Sequence, residues 1–223
     1  MLVTNLSPRA QLRAGRLPLR FFNLFIGLSL WGLASAMMIR ANLGVGPWDV
    51  LHIGLAGHSP LSLGTVVILV GIAVLLLWIP LRLWPGVGTI CNAIWIGVSL
   101  DVCLHFVPEV HGLGWQLAVL AAAIVINGFA GALYIGCHLG TGPRDGLMTG
   151  LHLRTGHSIR CVRTAIELVA LLAGWLLGGP VGVGTIAFAL LIGPATQFFF
   201  PWTTVRLPAT SGDPQRAAHP QKS

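Results

Sequence analysis

The chain has 223 residues, of which 55% are hydrophobic and 9% charged, and carries a formal net charge of +7 at a mean hydropathy of +0.82. A soluble domain of this size cannot hide that much apolar surface, so a bilayer is the expected solvent, with spans of about 20 apolar residues as its unit. The basic residues fall between apolar runs, where they set membrane orientation; this argues against nucleic acid, the partner that a basic soluble chain would suggest.

Residues 1–18 form a basic arm suited to the anionic inner leaflet. The apolar run that follows begins after Arg20 and contains Ala34-Ser35-Ala36, which resembles a leader cleavage site. However, the stretch from Trp31 to Met38 has a copy in mid-chain, Asn127 to Tyr134. A segment repeated there reads as a structural helix, so 21–41 is taken as the first span. Five more follow, at 61–81, 86–107, 113–137, 162–179 and 183–203. Two shorter apolar pieces, VLHIGLAG at 50–57 and GLMTGLHL at 146–153, interrupt the series. Eight helical residues rise only about 12 Å, too little to cross a core of about 30 Å. Each piece is expected to be a re-entrant or interfacial helix. The tail, 207–223, is polar and expected to be disordered. The expected fold is thus an all-α membrane protein of six transmembrane helices, with repeat 1 over 19–111 and repeat 2 over 112–206.

With the N-terminus in the cytoplasm, six crossings put twelve Lys and Arg residues on the cytoplasmic side and only Arg40 outside. That imbalance matches the positive-inside rule and predicts a bacterial cytoplasmic membrane protein with both termini inside.

The repeat itself is explicit. Leu43-Gly44-Val45-Gly46-Pro47-Trp48-Asp49 returns as Leu139-Gly140-Thr141-Gly142-Pro143-Arg144-Asp145. A shift of 96 residues aligns 31–97 with 127–193 without a gap, and 25 of those 67 positions are identical. Gly86-Val87-Gly88-Thr89-Ile90 recurs as Gly182-Val183-Gly184-Thr185-Ile186. Each half has three crossings, and an odd number turns the second half upside down, as in many secondary transporters. In that arrangement Asp49 is expected nearer Thr185 than Thr89, and Asp145 nearer Thr89.

The repeated residues have two readings. In GxGPxD the glycines permit torsions and close approaches closed to other residues, proline suits a first helical turn, and the carboxylate suits the positive helix end. The phrase is either a capped helix start or a break that presents Gly44, Gly46, Asp49, Gly140, Gly142 and Asp145 to a solute or ion. Thr89 and Thr185 either support tight helix packing or line a gate. Trp48 against Arg144 fits an outer interface against a cytoplasmic one. Asp101 and Glu167 lie inside apolar segments, where carboxylates are costly and face a partner or a wet cavity. Glu167 has Arg163 one turn before it as a pairing partner; Asp101, one turn before His105, either reaches the interface or handles a proton or cation. Asn92, Asn127 and Gln197 read as hydrogen-bonding glue. Cys91, Cys103, Cys137 and Cys161 form no CxxC pair and read as packing residues. No catalytic signature stands out and no cofactor is implied. The expected partners are membrane lipid and a small solute or coupling ion.

The phrases LGVGPWDVLHIGL and LGTGPRDGLMTGL, with the paired GVGTI, resemble the YczE/YitT-like bacterial integral membrane proteins over nearly the whole chain, from Phe21 to Trp202. The resemblance implies a bacterial membrane protein but supplies no substrate or site residues. The functional expectation is a secondary transporter or permease rather than an enzyme; the alternative is a non-transporting scaffold or accessory subunit.

Overall fold

The computed structural model describes residues 8–207, and these are all-helical. The predicted tail beyond 207 and the first seven residues of the arm lie outside the described residues. The helices are α1 (Pro8–Arg13), α2 (Leu17–Ala41), α3 (Pro47–Ala56), α4 (Leu63–Leu76), α5 (Trp78–Leu81), α6 (Val87–Phe106), α7 (Leu113–Gly136), α8 (Pro143–Thr155), α9 (Ile159–Leu176) and α10 (Val183–Thr203).

Five helical segments are long and apolar enough to cross a membrane: α2, α4 continued through α5, α6, α7 and α10. This differs from the expected six. The difference is α9, which is 18 residues long but carries Arg160, Arg163 and Glu167. The short pieces are α3 and α8, of 10 and 13 residues, longer than the apolar stretches in the sequence because each begins at its proline.

Local chemistry sets the starts. Pro47 and Pro143 stand in the first turns of α3 and α8, and a proline also opens α2. A missing N–H costs nothing at that position. Ser62 accepts a hydrogen bond from the Thr65 N–H, and Ser158 accepts one from Cys161, each capping its helix. The repeat governs all of these: α2 and α7, α3 and α8, α4 and α9, and α6 and α10 start 96 residues apart. Among the described helices, α1 and α5 have no counterpart.

The centre of the bundle is the pair α2 and α7. Their backbones lie close: a Cβ built at Gly27 would sit 3.0 Å from Ala130 O and Tyr134 N. Each then holds its own outer helix through another small residue. Gly32 of α2 lies against Leu100 of α6, and the equivalent Gly128 of α7 lies against Ala195 of α10. Leu24, Leu28, Ile96, Leu100 and Tyr134 form the core between them. Such close approach through small residues supplies dispersion where lipid removes the hydrophobic drive.

The halves are not mirror images throughout. Helix α4 lies on α6, with Gly97 against Ile68. The equivalent Gly193 of α10 has nothing within 4 Å of a built Cβ, because α9 lies instead on α3. There, Gly174 of α9 meets the backbone of Val50 and Leu51. The matching contact in the other half has its sizes exchanged: Gly146 of α8 meets the Trp78 ring of α5.

Asp101 joins α6 to the start of α4. Its carboxylate accepts from Ser62 Oγ at 2.6 Å and from the Gly64 N–H at 2.7 Å. A carboxylate is well placed at the positive end of a helix. Asp101→Ala is expected to cost about 2 kcal/mol, the value of a charge-assisted hydrogen bond, read as a lower thermal midpoint of the purified protein in detergent. An unchanged midpoint would deny Asp101 this role.

Candidate functional site

The site grows from the two repeated phrases. Gly46 and Gly142 precede their helices in extended backbone, and both act as N-caps without a side chain to offer. The two aspartates are therefore not N-caps; each is the third residue of its helix. Asp145 turns back toward the Gly142 backbone. Asp49 accepts a long hydrogen bond from Ser35 Oγ at 3.4 Å, and His52 Nδ1 lies 3.4 Å from its other oxygen.

The starts of α3 and α8 meet. The Arg144 guanidinium lies 4.6 Å from the centre of the Trp48 ring, a cation–π distance. This overturns the reading of Trp48 and Arg144 as residues suited to opposite membrane faces. They hold equivalent positions in the two halves and touch each other, because both short helices point their first turns at the same place. Trp78 Nε1 donates to Pro143 O at 2.9 Å and pins the first turn of α8.

Around this contact lies a cavity of about 120 Å³. Asp49, Asp145, Glu167, Arg144 and Arg163 supply its charges; Trp31, Trp48, Tyr134 and Phe188 supply aromatic wall; Gly46 and Gly142 supply backbone. Arg163 Nε donates to Glu167 Oε1 at 2.9 Å, the pair expected from their spacing. Asn92 also lines the cavity, a role beyond helix glue. Two polar atoms of the wall, Tyr134 Oη and Trp48 Nε1, are buried without a hydrogen-bond partner in the protein. Among the described residues, no group of three His, Cys, Asp or Glu side chains is gathered to hold a metal ion.

A second cavity of about 460 Å³ adjoins the first and shares Asp145, Met148 and Arg163 with it. Its wall includes Thr89, His138, Gly140, Thr141 and Arg160. Burial and the nearby Arg20 cation push the His138 imidazole below its ordinary value. On the Asp49 side the phrase is packed away: Val45 and Val50 are buried in a cluster with Met38, Leu120 and Ile124.

The remaining candidates divide into two groups. Gly44, Gly140, Thr89 and Thr185 stitch the halves together. The Gly184 N–H donates to Leu43 O at 2.7 Å, and the Gly88 N–H donates to Leu139 O at 2.8 Å. Thr89 Oγ1 donates to Thr141 O at 2.6 Å, while Thr185 Oγ1 accepts from the Gly182 N–H at 3.2 Å. Each glycine phrase is thus completed by the GVGT of the other half. Thr89 shares the second cavity with Asp145, and Thr185 packs on Gly44, five residues before Asp49. Asp101 stands apart, committed to the start of α4.

Sequence reasoning passed over Tyr134, Trp31 and Arg20. Tyr134 is the only tyrosine in the chain, a signal that a polar tip was needed inside an apolar helix. The positive-inside count takes Arg20 as one of the twelve cytoplasmic charges. It is fully buried and donates to Cys137 O at 2.7 Å, His138 O at 2.8 Å and Gln11 O at 2.7 Å, with Gly15 O at 3.3 Å.

Residues 18–201 match a family of unknown function, DUF6198. An uncharacterized protein of Haemophilus influenzae is 40% identical over 176 residues, covering 79% of this chain and 81% of its own length. The uncharacterized membrane protein YczE of Bacillus subtilis is 34% identical over 188 residues, covering 83% and 87%. The uncharacterized protein YyaS of the same bacterium is 25% identical over 180 residues, covering 79% and 90%. No solved structure matches the chain. The apolar helices, the doubled glycine phrase and these similarities agree: the chain belongs to the DUF6198 family and is a relative of the Bacillus subtilis membrane protein YczE.

Proposed function

We propose that the protein is a secondary transporter or permease for a small solute in the bacterial cytoplasmic membrane. In this reading it has six crossings in two inverted three-helix repeats, both termini are cytoplasmic, and it performs no catalysis. The observation that carries the reading is the convergence of both GPxD phrases, one from each half, on a single charged cavity. Broken or short helices meeting at a repeat interface are where such proteins bind solutes, and irregular backbone at membrane depth requires a protein-lined or wet surrounding.

The sixth crossing is α9. Its Arg163 and Glu167 satisfy each other and line the cavity rather than needing lipid, which lowers the penalty for charge in a span. The charge split along the sequence then orients the protein. The larger cavity, bordered by Trp84, Ile159 and Arg160 near loops that this orientation places inside, opens toward the cytoplasm, and the packed Asp49 side faces out. The described arrangement is accordingly inward-open.

Thiol labelling tests this without knowing the solute. In a protein whose four cysteines are replaced by serine, Asp145→Cys is expected to react with a membrane-impermeant thiol reagent added at the cytoplasmic face. Asp49→Cys is expected to react, more slowly, from the outer face as the protein changes access. A scaffold fixed in the described arrangement also leaves Asp145 reachable, so the reading fails if Asp49→Cys does not react from the outer face.

A further inference from the structure

We propose that the cavity between the starts of α3 and α8 binds a small monovalent organic cation of the protonated-amine type, and that Arg144 is a built-in cation that competes with it. The inference rests on the transport reading for the identity of the site and adds the class of solute.

Charge comes first. Arg163 and Glu167 are paired with each other. That leaves two carboxylates, Asp49 and Asp145, against one guanidinium, Arg144. With His52 as a neutral imidazole the balance is one negative charge in excess. Excess charge within a membrane protein is costly, and a monovalent cation restores neutrality where an anion would meet two carboxylates.

The shape of the wall agrees. The Arg144 guanidinium makes no hydrogen bond within the protein among the described residues; it rests on Trp48. The Trp48 face is therefore already a cation platform, and ligand ammonium groups use such faces in the same way. Tyr134 provides the second, independent sign of a ligand. It is 1% exposed, its hydroxyl has no partner, and it lines the cavity beside the start of α8. That oxygen can accept an N–H, as the two carboxylates can, and a bare metal ion would lack the clustered ligands it needs here. A volume of about 120 Å³ suits a molecule of few heavy atoms. Arg144 covers the same aromatic face that the solute needs and lies in the same cavity as the two carboxylates, so the solute must displace it.

The test is calorimetric titration of the full-length protein in detergent with propylammonium chloride, sodium propionate and butan-1-ol at equal ionic strength. Propylammonium is expected to bind saturably and the other two not to bind. Asp49→Asn and Asp145→Asn are each expected to weaken it about tenfold or more. Arg144→Gln is expected to tighten binding severalfold by removing the competitor, with Arg144→Lys close to the parent. Gel filtration and thermal midpoints confirm that each variant is folded. The proposal is overturned if propionate binds and Arg144→Gln abolishes that binding, or if the folded parent binds no propylammonium. Either result leaves the labelling of positions 49 and 145 unaffected, so failure of the solute class is distinguishable from failure of the transport reading.

Discussion

Alanine at Gly44 or Gly140 is expected to deprive the protein of its folded state in detergent, although each change adds a single methyl group. Both glycines have backbone torsions that disfavour any other residue, with φ of +104° at Gly44 and +131° at Gly140. Forcing a side chain into that region costs about 1–3 kcal/mol by itself. There is also no room. A Cβ at Gly44 would stand 2.6 Å from Gly182 N and 2.8 Å from Thr185 Oγ1; one at Gly140 would stand 2.7 Å from Thr89 Oγ1. The obstructing atoms belong to the other half and include backbone, so relief requires parting the seam between the halves. The combined loss should exceed about 3 kcal/mol, a large fraction of a typical stability. Gly114→Ala, in the first turn of α7 with nothing within 4 Å, should be harmless. Yield of monodisperse protein and thermal midpoint report the contrast; a wild-type midpoint for either of the first two variants would refute it.

Arg20→Leu is expected to be the next most damaging change. A fully buried guanidinium serves carbonyls from α1, the loop after it and the end of α7. Hydrogen bonds from a charged donor are worth about 1.5–3 kcal/mol each, and leucine leaves these acceptors unmet, Cys137 O among them in a buried place. Arg20→Lys should fall between, since an ammonium cannot reproduce the planar fork that spans Cys137 O and His138 O. The repeat offers a control: Gln116 holds the equivalent position in α7, no side-chain hydrogen bond of it is formed among the described residues, and Gln116→Leu should leave the thermal midpoint within a degree or two of the parent.

The places where the sequence was readable share a cause. Helix starts are local events: GPxD and GVGT mark them within a few residues, so α3, α6, α8 and α10 begin where the phrases predict. The seam between the halves was likewise legible, because doubled glycines require close neighbours and the repeat limits who those neighbours are. What escaped detection depends on long-range placement. Nothing near Asp101 in sequence reveals that Ser62 and Gly64 come to rest beside it. Arg20 flanks an apolar run, as an interfacial charge would, and only the fold brings the end of α7 over it. Trp48 and Arg144 are 96 residues apart, and their stacking follows from how two short helices tilt, a property with no local code. Helix α9 was anticipated at 162–179 but runs from Ile159 to Leu176, since the Ser158 cap, and not the apolar boundary, sets its start.

The seam has a further consequence. Leu43 O is satisfied by Gly184, and Leu139 O by Gly88, so neither module contains the means to finish its own break. A chain severed in the link between Phe106 and Leu113 would yield two fragments, each holding what the other lacks. The link need only keep the two parts together, since the bonds that close each break come from the other part.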